Sequence, residues 1–271
     1  MPELPEVETT RRGLNRYILN KTINHVIVRQ AQLRWPIPAD IRDIEGQQIV
    51  ELRRRGKYIL AKLSGGRHLL MHLGMSGAMS VVPVSQPVKK HDHFELQFHD
   101  GQTLRFHDPR RFGCILLTNE HPEQHSLLAS LGPEPLSNDF NGQWLKDTAK
   151  NRTVAVKNFI MNSQVVVGVG NIYAAEALFQ AGIHPKRAAS RISLQRYESL
   201  ANAIKAVLQK AIKAGGTTLQ DFTNSEGKPG YFQQELQVYG HQGQPCRQCN
   251  QTIRNILIGS RSSYYCQQCQ R

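Results

Sequence analysis

His93-Phe94-Glu95-Leu96-Gln97-Phe98 alternates apolar and polar side chains, and Thr103-Leu104-Arg105-Phe106 resumes the alternation after the turn dipeptide Asp100-Gly101. Asp-Gly tolerates the positive φ angles of tight hairpin turns, so the two runs predict paired antiparallel strands. Working outward, Thr22 to Val28, Gln48 to Leu52, Tyr58 to Leu63 and His68 to Leu73 are further short runs of β character. Several such runs at this spacing predict an antiparallel sandwich or barrel over residues 22 to 118.

The period changes on both sides of this block. A helix is expected from Glu3 to about Leu19, with Val7, Leu14, Tyr17 and Ile18 near one face. Beyond residue 123 the pattern becomes helical, with candidate segments 123–131, 142–149, 153–162, 171–181 and 193–214. The last starts at a Ser193 cap and ends before Gly215-Gly216. Strands followed by helices define an α+β chain. Leu131-Gly132-Pro133-Glu134-Pro135 reads as the linker, which gives an N-terminal β domain over 1–133, a helical domain over 134–235 and an appended module over 236–271. Residues 217–231 are polar and rich in Gly, Ser and Asn, as expected of a loop.

Charge points to the partner. Thirty-four Lys and Arg against 21 Asp and Glu leave a net +13 and a pI near 9.8, a balance that favours polyanions, most often nucleic acid. Residues 237–271 contain Arg247, Arg254, Arg261 and Arg271 and no acidic residue. No apolar run reaches the roughly 18 residues of a membrane span, and no basic-then-apolar leader opens the chain. An intracellular protein is therefore expected.

Five cysteines are present. Cys114 stands in the apolar run Gly113-Cys114-Ile115-Leu116-Leu117, where it serves as a small buried hydrophobe. Cys246-x-x-Cys249 is followed, after 16 residues, by Cys266-x-x-Cys269. Each pair can reach one ion from a tight turn, and two pairs complete a closed thiolate site for a structural zinc. Thr252 to Ile258 and Ser262 to Tyr265 read as a hairpin between the pairs, with Arg261 near its tip.

The chain begins Met1-Pro2-Glu3-Leu4-Pro5-Glu6. Initiator methionine is usually removed ahead of proline, which would leave Pro2 as a secondary amine with a pKa of about 8 if it behaves as other α-amino groups do. A neutral amine can attack an electrophilic carbon and form an iminium. Glu3 and Glu6 stand beside it as acid, base or electrostatic partners. The competing structural reading makes Pro5 a helix starter and the two acids ordinary first-turn residues.

Other clusters are weaker alone. Arg53-Arg54-Arg55-Gly56-Lys57 and Arg110-Arg111 are by default solvated charge, but an exposed Phe112 beside Arg110 suits a wedge entering a base stack. His91-Asp92-His93 offers two imidazoles without a clear third ligand, so polar contacts are favoured over a metal. Val165-Val166-Val167-Gly168-Val169-Gly170 imitates a dinucleotide-binding turn, but Tyr173 occupies the third glycine position. A glycine turn between helices, with amides free for a phosphate, fits better.

Taken together, the chain resembles the bacterial formamidopyrimidine-DNA glycosylase family along essentially its whole length. The matching stretches are Pro2 to Glu8, Arg55-Gly56-Lys57-Tyr58, His72 to Gly77, Lys90 to His93, Asp108 to Gly113, Gly168 to Ala174 and the terminal cysteine finger. The resemblance implies an N-terminal β-sandwich, a helix–two-turns–helix domain and a zinc-bound β-hairpin. It implies a base-excision-repair glycosylase and lyase that removes 8-oxoguanine and formamidopyrimidines, then cuts the strand by β,δ-elimination.

Carried over residue by residue, Pro2 is the nucleophile, Glu3 the acid that helps open the sugar, and Glu6 a supporting carboxylate. Lys57 serves phosphate binding and β-elimination, and Arg261 grips phosphate and serves δ-elimination. Met75, Arg110 and Phe112 fill the gap left by the flipped base. His91, Arg110, Arg152 and Asn171 match DNA contacts, with His72, Lys157 and Tyr239 as further candidates, and the 217–231 loop caps the everted base. The family pattern usually has an acid at the position where this chain has Asn162. The implied partner is double-stranded DNA bearing oxidised purines or abasic sites, bound by a monomer in the bacterial cytoplasm at the nucleoid, away from membranes. An endonuclease VIII-type enzyme for oxidised pyrimidines and a non-catalytic zinc-finger DNA-binding protein are the competing readings.

Overall fold

The computed structural model describes residues 2–217 and 232–271; the loop expected over 217–231 therefore lies, beyond Thr217, outside the described residues. The chain separates into two compact units, Met1–Ser130 with Ala214–Tyr231, and Leu131–Lys213 with Phe232–Arg271.

In the first unit, α1 (Leu4–Ile18) leads into two antiparallel four-stranded sheets. One has the order β1 (Ile23–Val28), β6 (Asp92–Phe98), β7 (Gln102–His107), β5 (Ala78–Pro83). The other has the order β2 (Ile49–Arg55), β3 (Tyr58–Leu63), β4 (His68–His72), β8 (Cys114–Thr118). The expected β6–β7 hairpin is present, with Phe94 opposite Phe106 and Leu96 opposite Leu104. These side chains join Val7, Leu14 and Ile18 of α1 and Ile59, Leu69 and Ile115 in one buried cluster. Each such side chain contributes roughly 1.5–3 kcal/mol on leaving water.

The alternation in β6 does not mark a solvent face. Glu95 is buried too, accepting from Arg29 and Arg105 at 2.8 Å each. Periodicity shows which positions differ, but an ion pair can bury the polar side as well.

Two strands escaped the sequence pattern. β5 ends on Pro83 at a sheet edge, where a residue without an amide proton is tolerated. β8 is a continuous apolar run rather than an alternating one, so its period is mute.

The second unit holds α3 (Gly142–Thr148), α4 (Val156–Met161), α5 (Asn171–Gln180) and α6 (Leu194–Lys213), preceded by a single turn of helix, α2 (Ser126–Ala129), that closes the first unit. The 123–131 helix is thus four residues long, after a 3-10 turn at Pro122–Gln124. The 153–162 helix starts late because Ala155 forms a β-bridge with Ala188. α5 is buried from Ile172 to Phe179, so it forms the unit's centre. The hairpin of β9 (Arg254–Ile258) and β10 (Arg261–Tyr265) packs on it, with Ala175, Phe179, Val238, Ile253, Cys246 and Cys266 in one cluster. No helix among the described residues is long and apolar enough to cross a membrane.

Candidate active site and nucleic-acid interface

In the first unit, the head of α1 brings the N-terminal proline and two acids together. Pro2, Glu3 and Glu6 are all buried. Glu3 and Glu6 form a reciprocal capping box, in which the Glu3 amide donates to Glu6 Oε2 at 2.8 Å. The other oxygen, Glu6 Oε1, accepts from the Thr217 amide at 2.8 Å. Gly216, with φ +85°, passes so close that a β-carbon there would lie 3.1 Å from Glu6 Oε1. Two amides and the positive end of the helix thus hold one carboxylate beside Pro2.

Lys57 sits in the two-residue turn between β2 and β3, where Arg55 pairs with Tyr58. Arg54 Nη1 closes the turn on the Gly56 carbonyl at 2.8 Å, and Arg54 also pairs with Glu8 at 3.3 Å. Burial alone would raise the Glu8 pKa, but the hydrogen bonds and charges of Arg11, Arg12 and Arg54 lower it. Next to this turn, burial, with the charges of Lys57 and Arg34, pushes the His72 pKa down to about 4. His72 Nδ1 accepts from the Gly74 amide at 2.9 Å, so the neutral ring presents Nε2–H as a donor. Burial pushes the Tyr58 hydroxyl and the Cys114 thiol each up to about 12, so Cys114 is an inert core residue as expected.

Met75 and Phe112 are exposed apolar side chains, 38% and 44% accessible. Their loops are pressed together. Gly74 has φ +65°, and a β-carbon there would lie 2.4 Å from the Gly113 amide nitrogen. Asp108, fully buried, ties both loops: Oδ1 accepts from Ser76 Oγ at 2.9 Å and Oδ2 from the Gly113 amide at 2.8 Å. The Arg110 guanidinium lies 4.8 Å from the Phe112 ring centroid. Met75, Arg110 and Phe112 therefore stand on two loops that Asp108 ties together, a brace to which no sequence motif assigned a role.

His91 sits against His93 and His107 at ring separations of 5.8 and 5.9 Å. His93 Nε2–H donates to the Asp108 carbonyl at 3.0 Å, and burial lowers the His93 pKa. Asp92 is engaged by His107 at 2.8 Å, the Lys89 amide at 2.7 Å and Arg105 at 3.6 Å. This is a polar network, and among the described residues the only grouping suited to a metal is the cysteine set.

In the second unit, the sulfurs of Cys246, Cys249, Cys266 and Cys269 all lie within 4.8 Å of one another. The Cys249 and Cys266 sulfurs lie 3.4 Å apart and those of Cys246 and Cys269 3.9 Å apart. Thiolates around a tetrahedral ion with bonds of about 2.3 Å are separated by roughly 3.8 Å, so the cluster fits a bound metal ion. The amides of Asn250 and Gln270 turn back onto the Cys246 and Cys266 carbonyls, which sets both sulfurs of each pair on one side.

Arg261 opens β10 at the hairpin tip and is exposed. Its neighbours are anchored by Lys157, which has no exposed surface and donates to the Ser262 carbonyl at 2.9 Å and Ser263 Oγ at 2.6 Å. Asn171 is the first residue of α5, after the Gly168-Val169-Gly170 turn, and its Oδ1 is buried without a hydrogen-bond partner among the described residues. Arg152 is exposed. Tyr239 is placed by Glu176, whose carboxylate accepts from the amides of Gln237, Val238 and Tyr239 at 2.9, 3.0 and 2.8 Å. Burial raises the Glu176 pKa against the pull of those three amides. The sequence signal for this residue is a lone Glu in an apolar helix.

Comparison with known proteins agrees in both halves. Residues 1–115 match the family model for the formamidopyrimidine-DNA glycosylase N-terminal domain, and residues 131–223 that for its H2TH domain. The chain is 56% identical to a formamidopyrimidine-DNA glycosylase of Alcanivorax borkumensis and 51% identical to one of Escherichia coli, in each case over 100% of both chains. The structure resembles the MutM (Fpg) protein of Thermus thermophilus, with TM-score 0.90, 37% identity and coverage of 99% and 98% of the two chains. It also resembles wild-type Lactococcus lactis Fpg (MutM) in complex with N7-benzyl-Fapy-dG DNA, with TM-score 0.92, 32% identity and 100% coverage of both.

Proposed function

The chain belongs to the formamidopyrimidine-DNA glycosylase family, and from that premise we propose that it excises oxidised purines from DNA and then cleaves the strand at the resulting site. The observation that carries this reading is the buried Pro2-Glu3-Glu6 constellation, in which a doubly held carboxylate flanks an amine that methionine removal would free.

A base in a duplex hides its glycosidic bond, so the nucleotide is first extruded at a cost of a few kcal/mol. Met75 and Phe112 take the vacated space and Arg110 meets the orphaned base. The neutral Pro2 nitrogen attacks C1′ as the damaged base departs. Glu3 donates a proton to the sugar ring oxygen, and the ring opens to an iminium. The iminium acidifies C2′–H; loss of that proton expels the 3′ phosphate, and a second elimination expels the 5′ phosphate. Lys57 and Arg261 bind the phosphates that leave. His72, His91, Arg152, Asn171 and Tyr239 are assigned to the DNA backbone, and Lys157 to the same surface indirectly, through the hairpin.

The domain roles follow: catalysis from 1–133, DNA grip and lesion capping from 134–235, and phosphate binding from 236–271. The metal is assigned as one zinc ion held by the four cysteines. A closed four-thiolate site leaves no position for a reacting water, so its role is to hold the hairpin. The protein acts as a monomer on nucleoid DNA in the bacterial cytoplasm.

Borohydride reduction on duplex carrying 8-oxoguanine tests the central step. A covalent adduct through Pro2 is expected, and no adduct from correctly processed protein would sink the glycosylase–lyase reading. Clear preference for thymine glycol would instead favour the pyrimidine enzyme.

A further inference from the structure

Outside the residues assigned so far, a run of basic residues lies on the segment that follows α5. No Asp or Glu occurs between Glu176 and Glu198, while His184, Lys186, Arg187, Arg191 and Arg196 fall in that interval. His184, Lys186, Arg187, Ala188, Arg191 and Arg271 line one open hollow of about 760 Å³. Lys186, Arg191 and Arg271 are exposed and Arg187 partly so. Among the described residues, none of these four cations pairs with an Asp or Glu. Elsewhere Arg11, Arg29, Arg54, Arg67 and Arg105 each meet a carboxylate. The crowding is felt locally: the His184 pKa is lowered by burial and then by the charges of Lys186 and Arg187. Like charge left unmatched destabilises the free protein, and an anion relieves it.

The hollow's frame is fixed by the main chain. The Arg187 carbonyl accepts from the Val156 amide at 2.7 Å, the Ala189 amide donates to Val154 at 3.0 Å and the Ser190 amide donates to the Arg152 carbonyl at 2.9 Å. Arg196 Nη2 clamps the main-chain oxygens of Gly182 at 3.0 Å and Arg271 at 2.7 Å. Arg152 is therefore bonded directly to the segment that carries the basic rim. An open hollow with cations on its rim suits successive phosphates of a strand. A single small anion calls for enclosed, converging donors.

We propose that Lys186, Arg187, Arg191 and Arg271, with His184, form a second phosphate-binding surface that grips duplex DNA flanking the lesion, continuing a track that begins at Arg152. This rests on the DNA-repair reading above. The surface reads no base edge, so its contribution is independent of sequence and of damage. It raises affinity for undamaged duplex and retention on long DNA, without entering the chemistry.

The test is a triple variant, Lys186→Gln, Arg187→Gln and Arg191→Gln. Its binding to a long undamaged duplex is measured across salt concentrations, beside borohydride trapping on a short duplex that ends near the lesion. Loss of three phosphate contacts should flatten the log–log salt slope by about 2–3, at roughly 0.9 per contact. Trapping on the short duplex should stay at the wild-type level, which also shows that the variant is folded. The Lys186→Arg, Arg187→Lys, Arg191→Lys variant should keep the wild-type slope. An unchanged slope in the glutamine variant overturns the proposal, and so does equal loss on the short duplex, because the residues would then serve the lesion site. Failure of wild-type protein to trap would instead count against the glycosylase reading, since the slope on undamaged DNA does not depend on it.

Discussion

Glu6 and Thr217 are joined by a 2.8 Å hydrogen bond from the Thr217 amide to Oε1, while Oε2 is already held by the Glu3 amide. One carboxylate thus fixes the head of α1 against the chain that enters residues 218–231. Glu6→Gln keeps the shape but offers one acceptor oxygen to two donors. A buried donor left unsatisfied costs about 1–3 kcal/mol. A loss of that size in denaturant unfolding, together with a fall in borohydride trapping, is the expected outcome; wild-type values in both would remove Glu6 from the site.

His72 provides a titration. Its folded pKa of about 4 lies below the model-peptide 6.5, so the neutral ring is favoured in the fold. Its contribution is fully present above pH 6.5 and is lost as pH falls through about 4, to a total on the order of 3 kcal/mol. NMR titration should find His72 neutral well below pH 6. Lys57→Met should raise that pKa only in part, because burial is the larger cause.

Lys157 is expected to act on Arg261 from a distance. Lys157→Met removes donors to the Ser262 carbonyl and Ser263 Oγ with little change in volume. Metal content and trapping through Pro2 should persist, while the second elimination slows relative to the first. Product analysis on a lesion duplex reads this directly, and an unchanged ratio of products would assign Lys157 to packing alone.

Cys249→Ser removes one of four thiolates. Metal retention and DNA affinity should fall sharply, whereas the sandwich, whose core cluster contains no hairpin residue, should keep its unfolding transition. Metal analysis with domain-resolved hydrogen exchange checks both halves.

Phe112→Ala should separate stability from function. A side chain 44% exposed contributes little to the core, so unfolding should shift by no more than about 0.5 kcal/mol. Affinity for lesion-containing duplex should drop while affinity for undamaged duplex changes far less.

Much of the fold was legible because its signals are local. The Asp100-Gly101 hairpin, the helix from Glu3 and the doubled Cys-x-x-Cys motif each depend on residues close in the chain. Edge strands β5 and β8 were not legible, since a terminal proline and an unbroken apolar run erase the alternation that marks a strand. The supporting residues were invisible for another reason. Asp108 and Glu176 look like any other acid until the fold delivers amides and hydroxyls from distant segments to their oxygens.

The sequence by itself determined the chemistry on offer: a proline amine beside two acids, a net positive charge, four cysteines at metal-binding spacing and an aromatic next to arginine. Only the tertiary structure decided how those groups are held. It placed Thr217 on Glu6, sank Lys157 beneath the hairpin that carries Arg261, and gathered Lys186, Arg187 and Arg191 around one hollow with no Asp or Glu partner among the described residues. Residue type and spacing fix what a group can do, but burial and hydrogen-bond supply come from segments far apart in sequence, and no local pattern encodes them.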